Sequence, residues 1–416
     1  MSSHDLPDAP AADGGAAASF AGTGSALEVL RVFLRLGLTS FGGPVAHIGY
    51  FREEFVVRRR WLADGAFADL VALCQFLPGP ASSQVGFSIG LARAGFGGAL
   101  AAWAGFTLPS AIALVLFAYA ADALGGPLGR GLIHGLKLVA VAIVAQAVWG
   151  MARTLCPDRA RASIALLAVL MIVGLNSSVG QIGAIVVGGA AGLWLCRQAP
   201  PSGSSHMAMP VSRATGLACL AAFVVLLFGL PLLRHAWPSG GVALFEAFYR
   251  SGALVFGGGH VVLPLLREAV VAPGWVSDDA FLAGYGAAQA VPGPLFTFAA
   301  YLGAVVTTEP HGVVGAVIGL VGIFVPGLLV LVGTLPFWDG FRQRADAQAI
   351  MRGVNAAVVG ILGAALYSPV WSSAVLTPRD FALALIGFVL LTVWKAPPLV
   401  VVAIGALGGV ALAALG

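Results

Sequence analysis

Two Pro-Gly-Pro segments are the residues of this chain best suited to binding a solute. Pro78-Gly79-Pro80 follows Gln75, and Pro292-Gly293-Pro294 follows Gln289, each inside an apolar stretch. Because proline lacks an amide hydrogen and clashes with the preceding turn, a helix must stop and restart there. A restarting helix presents unpaired N–H groups and the positive end of its dipole, which favour an anion. Each segment therefore predicts a half-helix with an anion site at its N-terminus.

The two restarts carry different side chains. The first has Ser82, Ser83 and Gln84, whose hydroxyls and amide can donate hydrogen bonds to an oxyanion. The second has Thr297 between two phenylalanines. We predict that the first copy makes most of the substrate contacts and that the second serves as a gate or an apolar wall. The alternative is that both segments only kink packed helices.

A second pair of helix breaks precedes the first pair. Phe41-Gly42-Gly43-Pro44 has its counterpart in Phe256-Gly257-Gly258-Gly259, and glycines there allow the chain to unwind or another backbone to approach closely. A histidine follows each motif, at His47 and His260, but the two are not at equivalent positions of the repeat. Because histidine titrates near neutral pH, either is a candidate for coupling transport to protons. A hydrogen-bonded interfacial histidine is the alternative.

Two pairs of arginines recur at equivalent positions. Arg35 and Arg250 lie in apolar runs, and Arg52 and Arg267 each precede a glutamate. A charge at membrane depth costs about 2.5–3.5 kcal/mol on insertion scales, so a repeated arginine requires a reason. Binding of a dianion is one reason. The alternatives are snorkelling to the interface for the first pair and, for the second, a local ion pair such as Arg52 with Glu53.

These motifs belong to a long internal repeat. Phe33-x-Arg35-x-Gly37-x-x-x-Phe41-Gly42-Gly43 returns in the second half of the chain, and the correspondence continues through both Pro-Gly-Pro segments. The matched stretches also share Trp-x-x-Asp-x-x-Phe, starting at Trp61 and at Trp275. A repeat of this length, with helix breaks in each copy of an apolar chain, is typical of a secondary transporter whose site lies between the halves.

Composition indicates an integral membrane protein. Hydrophobic residues make up 59% of the chain and charged residues 10%, with a mean hydropathy of +0.94, whereas about 25% of the residues are charged in an average soluble domain. Most of the surface must therefore face membrane lipid. The net charge of +4 is small and dispersed, which argues against nucleic acid as a partner and is compatible with an anionic substrate. A homo-oligomer is compatible with the sequence.

Several chemistries are disfavoured by the motifs. The four cysteines occur without a C-x-x-C pair, which argues against a disulfide framework or a metal site. No G-x-x-x-x-G-K-[ST] is present, so the chain is not an ATP-driven pump of the P-loop type. Residues 86–90 match G-x-S-x-G but lie in an apolar stretch rather than in a strand-to-helix turn. We predict no cofactor, no metal and no catalytic residue.

The hydropathy pattern predicts an all-α polytopic membrane protein with about 10–13 membrane segments, since a span needs roughly 20 apolar residues. Residues 160–196 and 380–414 are each predicted to form a hairpin of two shorter spans. Residues 1–25 contain no Lys or Arg and are predicted to be a disordered leader. Residues 26–196 form the first repeat, 197–239 a linker with an unpaired span, and 240–416 the second repeat. An even number of spans in each half would make the repeat inverted, and an odd number would make it parallel. The basic cluster from Arg58 to Arg60 has no counterpart after Arg267, which favours an inverted repeat under the positive-inside rule.

The sequence resembles the chromate transporter superfamily in its long, two-domain form. The resemblance is carried by Phe41-Gly42-Gly43-Pro44, Arg52-Glu53, Trp61-Leu62 and the stretch from Gln75 to Pro80. It implies a bacterial inner-membrane protein that exports chromate and confers chromate resistance, with sulfate as the competing anion. The second half departs from the motif at Gly259 and at residues 290–291. A transporter of another oxyanion such as sulfate and a membrane-embedded enzyme are the alternatives.

Overall fold

The computed structural model describes residues 24–41, 43–123, 126–175, 178–197, 210–256, 261–341 and 344–415. Helices provide all the regular structure in these ranges, and no strand occurs in them, which confirms the all-α prediction. Of the predicted leader, only Gly24 and Ser25 are described. The Ser25 hydroxyl accepts a hydrogen bond from the Glu28 amide and caps the first helix.

The described residues of the first half and of the segment after it form eight α-helices. α2 continues directly into a π-helical turn at Glu53–Arg58, and α4 bends sharply at Ala94 and Gly95, where Gly95 has a φ of 63°. The helices are α1 (Ala26–Thr39), α2 (Gly43–Arg52), α3 (Asp64–Phe76), α4 (Ala81–Ala123), α5 (Gly126–Leu155), α6 (Arg159–Leu175), α7 (Ser178–Leu195) and α8 (Arg213–Ala236). The last of these is the unpaired span.

The second half repeats the order of the first. A π-helical turn again follows the second helix, at Arg267–Val271, and a 3₁₀ turn at Leu295–Thr297 follows the Pro-Gly-Pro segment. The helices are α9 (Gly240–Ala253), α10 (Val262–Leu266), α11 (Asp278–Ala288), α12 (Phe298–Val305), α13 (Gly312–Thr334), α14 (Trp338–Phe341), α15 (Ala345–Ala365), α16 (Ser372–Ala374), α17 (Pro378–Thr392) and α18 (Pro398–Leu415).

Five helical stretches within the described residues are long and apolar enough to cross a membrane, at 81–120, 128–155, 213–236, 312–337 and 345–374. The helices of the two terminal hairpins, α6 with α7 and α17 with α18, have 15 to 18 residues. At 1.5 Å per residue such helices are about 22–27 Å long, slightly less than the hydrocarbon thickness of about 30 Å. They match the short paired spans expected from the sequence.

The two halves exchange their terminal hairpins. α17 and α18 of the second half pack on α5 of the first, and α6 and α7 of the first half pack on α15 of the second. Glycines allow both contacts: a methyl group on Gly131 would lie 2.8 Å from the Gly409 carbonyl oxygen, and one on Gly192 would lie 2.7 Å from Gly353 Cα. Each half is therefore completed by the other.

Equivalent helices of the two halves run antiparallel. The part of α4 after Gly95 and α13 both follow the Pro-Gly-Pro half-helix in their own halves. Trp103 near the start of that part of α4 contacts Phe324 in the middle of α13, with ring centroids 5.7 Å apart. Tyr119, near the end of α4, lies beside Gly312 at the start of α13. An inverted repeat requires this arrangement.

Candidate functional site

The four predicted helix breaks meet between the halves through two crossed hydrogen bonds. The Gly79 amide donates to the Val255 carbonyl over 2.8 Å, and the Gly293 amide donates to the Ser40 carbonyl over 2.9 Å. Ser40 and Val255 each immediately precede a Phe-Gly-Gly motif. Each Pro-Gly-Pro segment is therefore fastened to the other half, as a two-fold relation between the halves requires.

Both central glycines are required by conformation and by space. Gly79 has a φ of +117° and Gly293 a φ of +101°, a region that side chains with a Cβ rarely occupy. A methyl group on Gly79 would lie 2.9 Å from Gly327 Cα, and one on Gly293 would lie 2.9 Å from the Ser110 hydroxyl oxygen. Gly327 and Ser110 each follow a proline in the spanning helix of the opposite half.

His47 joins the two breaks of the first half. It is fully buried, with Nδ1 3.3 Å from the Ser82 hydroxyl oxygen and Nε2 3.2 Å from the Ser40 carbonyl oxygen. The Phe106 ring packs edge-on against the imidazole. His47 is thus a hydrogen-bonded histidine in the core between helices.

Beside His47, several polar groups of the half-helix and of Ser40, at the end of α1, are buried without a partner. Ser83 is 2% exposed, and its hydroxyl, the Ser40 hydroxyl and Gln84 Oε1 have no hydrogen-bond partner among the described residues. Gln84 Nε2 donates to the carbonyls of Pro78 and Gly327, both over 2.9 Å. Buried polar groups are normally hydrogen-bonded, so unpaired ones at a helix N-terminus indicate a site for a polar ligand.

The equivalent positions of the second half are apolar. Val255, Val262 and Phe296 occupy the positions of Ser40, His47 and Ser82, and all are buried. Phe298 takes the place of Gln84 and packs among aromatic rings.

The polar residues that remain at the second break provide fewer hydrogen-bonding groups for a ligand. The Thr297 hydroxyl donates to the Pro294 carbonyl within its own turn, over 2.8 Å. Gln289 Nε2 is buried without a partner in the described structure, whereas its counterpart Gln75 is exposed. Among the residues that the structure describes, polar donors are therefore brought together at the first break only.

Arg52 and Arg267 form equivalent ion pairs away from the half-helices. Arg52 Nε lies 2.8 Å from an Asp64 carboxylate oxygen, and Arg267 Nε lies 3.0 Å from one of Asp278. The alternative role of Arg52 in a local ion pair named Glu53 as the partner, which is wrong, because the partner is Asp64 at the start of α3. α3 separates this pair from Pro78 by about 18 Å at 1.5 Å per residue. The recurrence of Trp-x-x-Asp beside a repeated arginine is the sequence signal for both pairs.

The other predicted residues lie at several places. Arg250 lies 3.4 Å from Glu246, whereas Arg35 is exposed on α1. Phe41 and Pro44 are half-buried at the start of α2, where Gly43 has a φ of +76°. The remaining residues of the glycine motifs, together with one histidine, are outside the described residues: Gly42, Gly257, Gly258, Gly259 and His260.

Two cavities lie at the ends of the exchanged hairpins rather than at the polar cluster. One of about 700 Å³ is lined by Arg130, His134 and Asp380, and one of about 430 Å³ by Arg159 and Arg161. Their carboxylates are already engaged, since Asp380 lies 2.7 Å from His134 and Asp158 pairs with Arg161. Ser40, Ser110 and Gly327 complete the central cluster, and sequence reasoning missed them because none stands in a break motif.

Comparison with known proteins agrees with this two-fold architecture. A family model described as chromate transporter matches residues 27–193 and matches again at residues 242–410. The chain belongs to the chromate transporter family. Its relatives in this family include a chromate transport protein of Pseudomonas aeruginosa, 29% identical over 92% of this chain and 90% of the relative.

Two further relatives extend along nearly the whole chain. A chromate transport protein of Cupriavidus metallidurans is 28% identical over 99% of this chain and 98% of its own length. A probable chromate transport protein of Synechococcus elongatus is 27% identical over 92% and 94%. No solved structure matches the chain. Family membership and the apolar helices make this chromate transporter homologue a multi-pass protein of the bacterial inner membrane.

Proposed function

We propose that this protein is a secondary transporter that exports chromate from the cytoplasm and thereby confers chromate resistance, with sulfate as a competing anion. The observation that carries the proposal is the buried, unpaired Ser83 hydroxyl at the N-terminus of α4. This end of α4 lies where the two halves are joined by the hydrogen bonds of Gly79 and Gly293. Chromate is a tetrahedral dianion with oxygen acceptors on all sides. Backbone amides at a helix N-terminus and neighbouring hydroxyls supply the donors that such an anion needs.

The described conformation is closed over this site. Ser82, Ser83 and Gln84 are at most 3% exposed, so an anion reaches them only when the halves move apart. The crossed hydrogen bonds from Gly79 and Gly293 are the contacts that such a movement must break or carry along. Rocking of one repeat against the other around a fixed central site is the alternating-access mechanism of inverted-repeat transporters.

The transport test uses everted vesicles, in which export appears as uptake. Vesicles containing the protein should accumulate labelled chromate when energised, and excess sulfate should reduce the uptake. Accumulation by right-side-out vesicles instead would reverse the proposed direction. If sulfate is transported and chromate only inhibits, the protein is a sulfate transporter, the second candidate.

Ser83→Ala tests the position of the site. Loss of one hydroxyl hydrogen bond should weaken the apparent affinity for chromate by about 0.5–1.5 kcal/mol. Thr297→Ala, at the equivalent position of the second half, should have a smaller effect because its hydroxyl is already engaged. Ser251→Ala removes another buried hydroxyl, on α9, and controls for folding. Equal effects of Ser83→Ala and Thr297→Ala would contradict the assignment of the site to the first half.

A further inference from the structure

The contacts of His47 determine which nitrogen carries its proton. A carbonyl oxygen can only accept, so the contact between Nε2 and the Ser40 carbonyl requires a proton on Nε2. In the neutral imidazole, Nδ1 is then an acceptor, and the Ser82 hydroxyl must be the donor across the 3.3 Å contact. The only hydroxyl proton of Ser82 is thus directed at His47 and not at the anion site.

A second proton on His47 reverses this contact. When Nδ1 is protonated it becomes a donor, and Ser82 Oγ becomes its acceptor. The hydroxyl proton of Ser82 is then released to donate to an oxygen of the anion, while the imidazole gains a positive charge. The Nε2–H bond to the Ser40 carbonyl is retained in both states, so the ring does not need to rotate.

We infer that His47 is the proton-coupling residue of this transporter: one proton binds at Nδ1 together with each oxyanion, and Ser82 transmits the change to the substrate. The inference rests on the proposed oxyanion site at the start of α4. It assigns a role to the one histidine that is fully buried among the described residues. The second half has valine and phenylalanine at the positions of His47 and Ser82, so coupling belongs to the first half.

The charged groups on the elements around His47 are engaged, exposed or remote. On α2, Arg52 pairs with Asp64, and on α1, Arg35 is exposed. On α4, Arg93 lies 3.3 Å from Glu28 and about 16 Å along the helix from Ser82, and Asp122 stands at the far end. Residues 291–298 of the opposite half contain no ionisable side chain. A protonated His47 would therefore supply the positive charge nearest to the bound dianion.

The test is proton uptake on anion binding by the purified full-length protein. Sulfate is the first probe because it stays a dianion throughout the neutral range, whereas chromate itself takes up a proton near neutrality. Titration calorimetry in buffers of different ionisation enthalpy measures the protons taken up. At pH values where free His47 is neutral, the wild-type protein should take up one proton per sulfate. Its dissociation constant should rise about tenfold per pH unit in that range.

Two variants separate this role from a structural one. His47→Gln can keep a donor towards Ser40 but cannot take up a proton, so sulfate binding to this variant should be accompanied by no proton uptake and should not vary with pH. His235→Gln, at an exposed histidine on α8, should behave as the wild type.

The outcomes distinguish failure of the coupling from failure of the site. Proton-independent sulfate binding by the wild-type protein, or proton uptake retained in His47→Gln, would overturn the role of His47 and leave the oxyanion site standing. The wild-type measurement decides the question even if His47→Gln does not fold. If the wild-type protein binds neither sulfate nor chromate at any pH, the proposed function fails, and the coupling role fails with it.

Discussion

At the scale of single residues, the two halves differ in a few buried side chains. Ser40, His47 and Ser82 form a hydrogen-bonded cluster in the first half, and the second half has valine, valine and phenylalanine in their places. The sequence predicted the inequality of the restarts, because Ser82-Ser83-Gln84 and Phe296-Thr297-Phe298 differ in type. It did not predict that the Ser40 carbonyl accepts from both halves, since that contact depends on tertiary placement.

The structure favours an ion-pair role for Arg52 over a role in substrate binding. Its side chain is 53% exposed and paired with Asp64, and exposed pairs of this kind contribute at most about 1 kcal/mol. Arg52→Lys keeps the charge, so we expect chromate transport close to that of the wild type at equal abundance. The check is initial transport rate normalised to protein in the membrane.

A charge reversal provides the stricter form of this experiment. Arg52→Asp combined with Asp64→Arg should restore abundance relative to Arg52→Asp alone, if pairing is the function of Arg52. A steep loss of transport in Arg52→Lys, at normal abundance, would instead indicate that Arg52 contacts the substrate.

At the scale of elements, the Pro-Gly-Pro segments behave as elementary chemistry requires. Each proline ends a helix, and each glycine between them adopts a positive φ, so both breaks could be predicted from residue type alone. The bend of α4 at Ala94 and Gly95 could not, because no proline stands there. The structure joins the half-helix that begins at Ala81 to the span after Gly95 without a loop.

Substitution of either Gly79 or Gly293 should weaken the hydrogen bonds that join the two halves. Gly79→Ala and Gly293→Ala each force a Cβ into the left-handed region, which costs about 1–2 kcal/mol, and each adds a contact near 2.9 Å. We expect lower thermal stability of the purified protein and reduced transport in both variants.

A control glycine separates the effect of a Cβ at these two positions from the effect of any glycine-to-alanine substitution. Gly229→Ala on α8, where an added methyl group meets nothing within 4 Å, should be neutral or slightly stabilising, because alanine favours helix. Normal stability of both Gly79→Ala and Gly293→Ala would show that the crossed hydrogen bonds tolerate a Cβ.

At the scale of the whole molecule, the antiparallel course of α4 and α13 fixes how the halves are related. The sequence predicted inversion from an unpaired span and an uneven distribution of arginines. It could not predict the exchange of terminal hairpins, because the apolar faces of α6, α7, α17 and α18 do not specify which half they cover.

Inversion predicts opposite exposure of two equivalent loops. Arg58 and Pro273 are both exposed and follow the second helix of their halves. Cysteines introduced at the two positions, one at a time, should react with an impermeant thiol reagent from opposite faces of the membrane. The background protein must lack the native cysteines Cys74, Cys156, Cys196 and Cys219. Labelling of both positions from the same face would exclude the inverted arrangement.

The exchange of hairpins also has a consequence for the order in which the helices can pack during synthesis. α5 is made early, yet the helices that cover its glycine face, α17 and α18, come after all the other described helices in the chain. α6 and α7 are separated from their partner α15 by a shorter stretch of chain. The first half must therefore remain in the membrane with one helix surface uncovered until α17 and α18 have been made. During that interval, lipid or the insertion machinery must occupy the place that the C-terminal hairpin later takes.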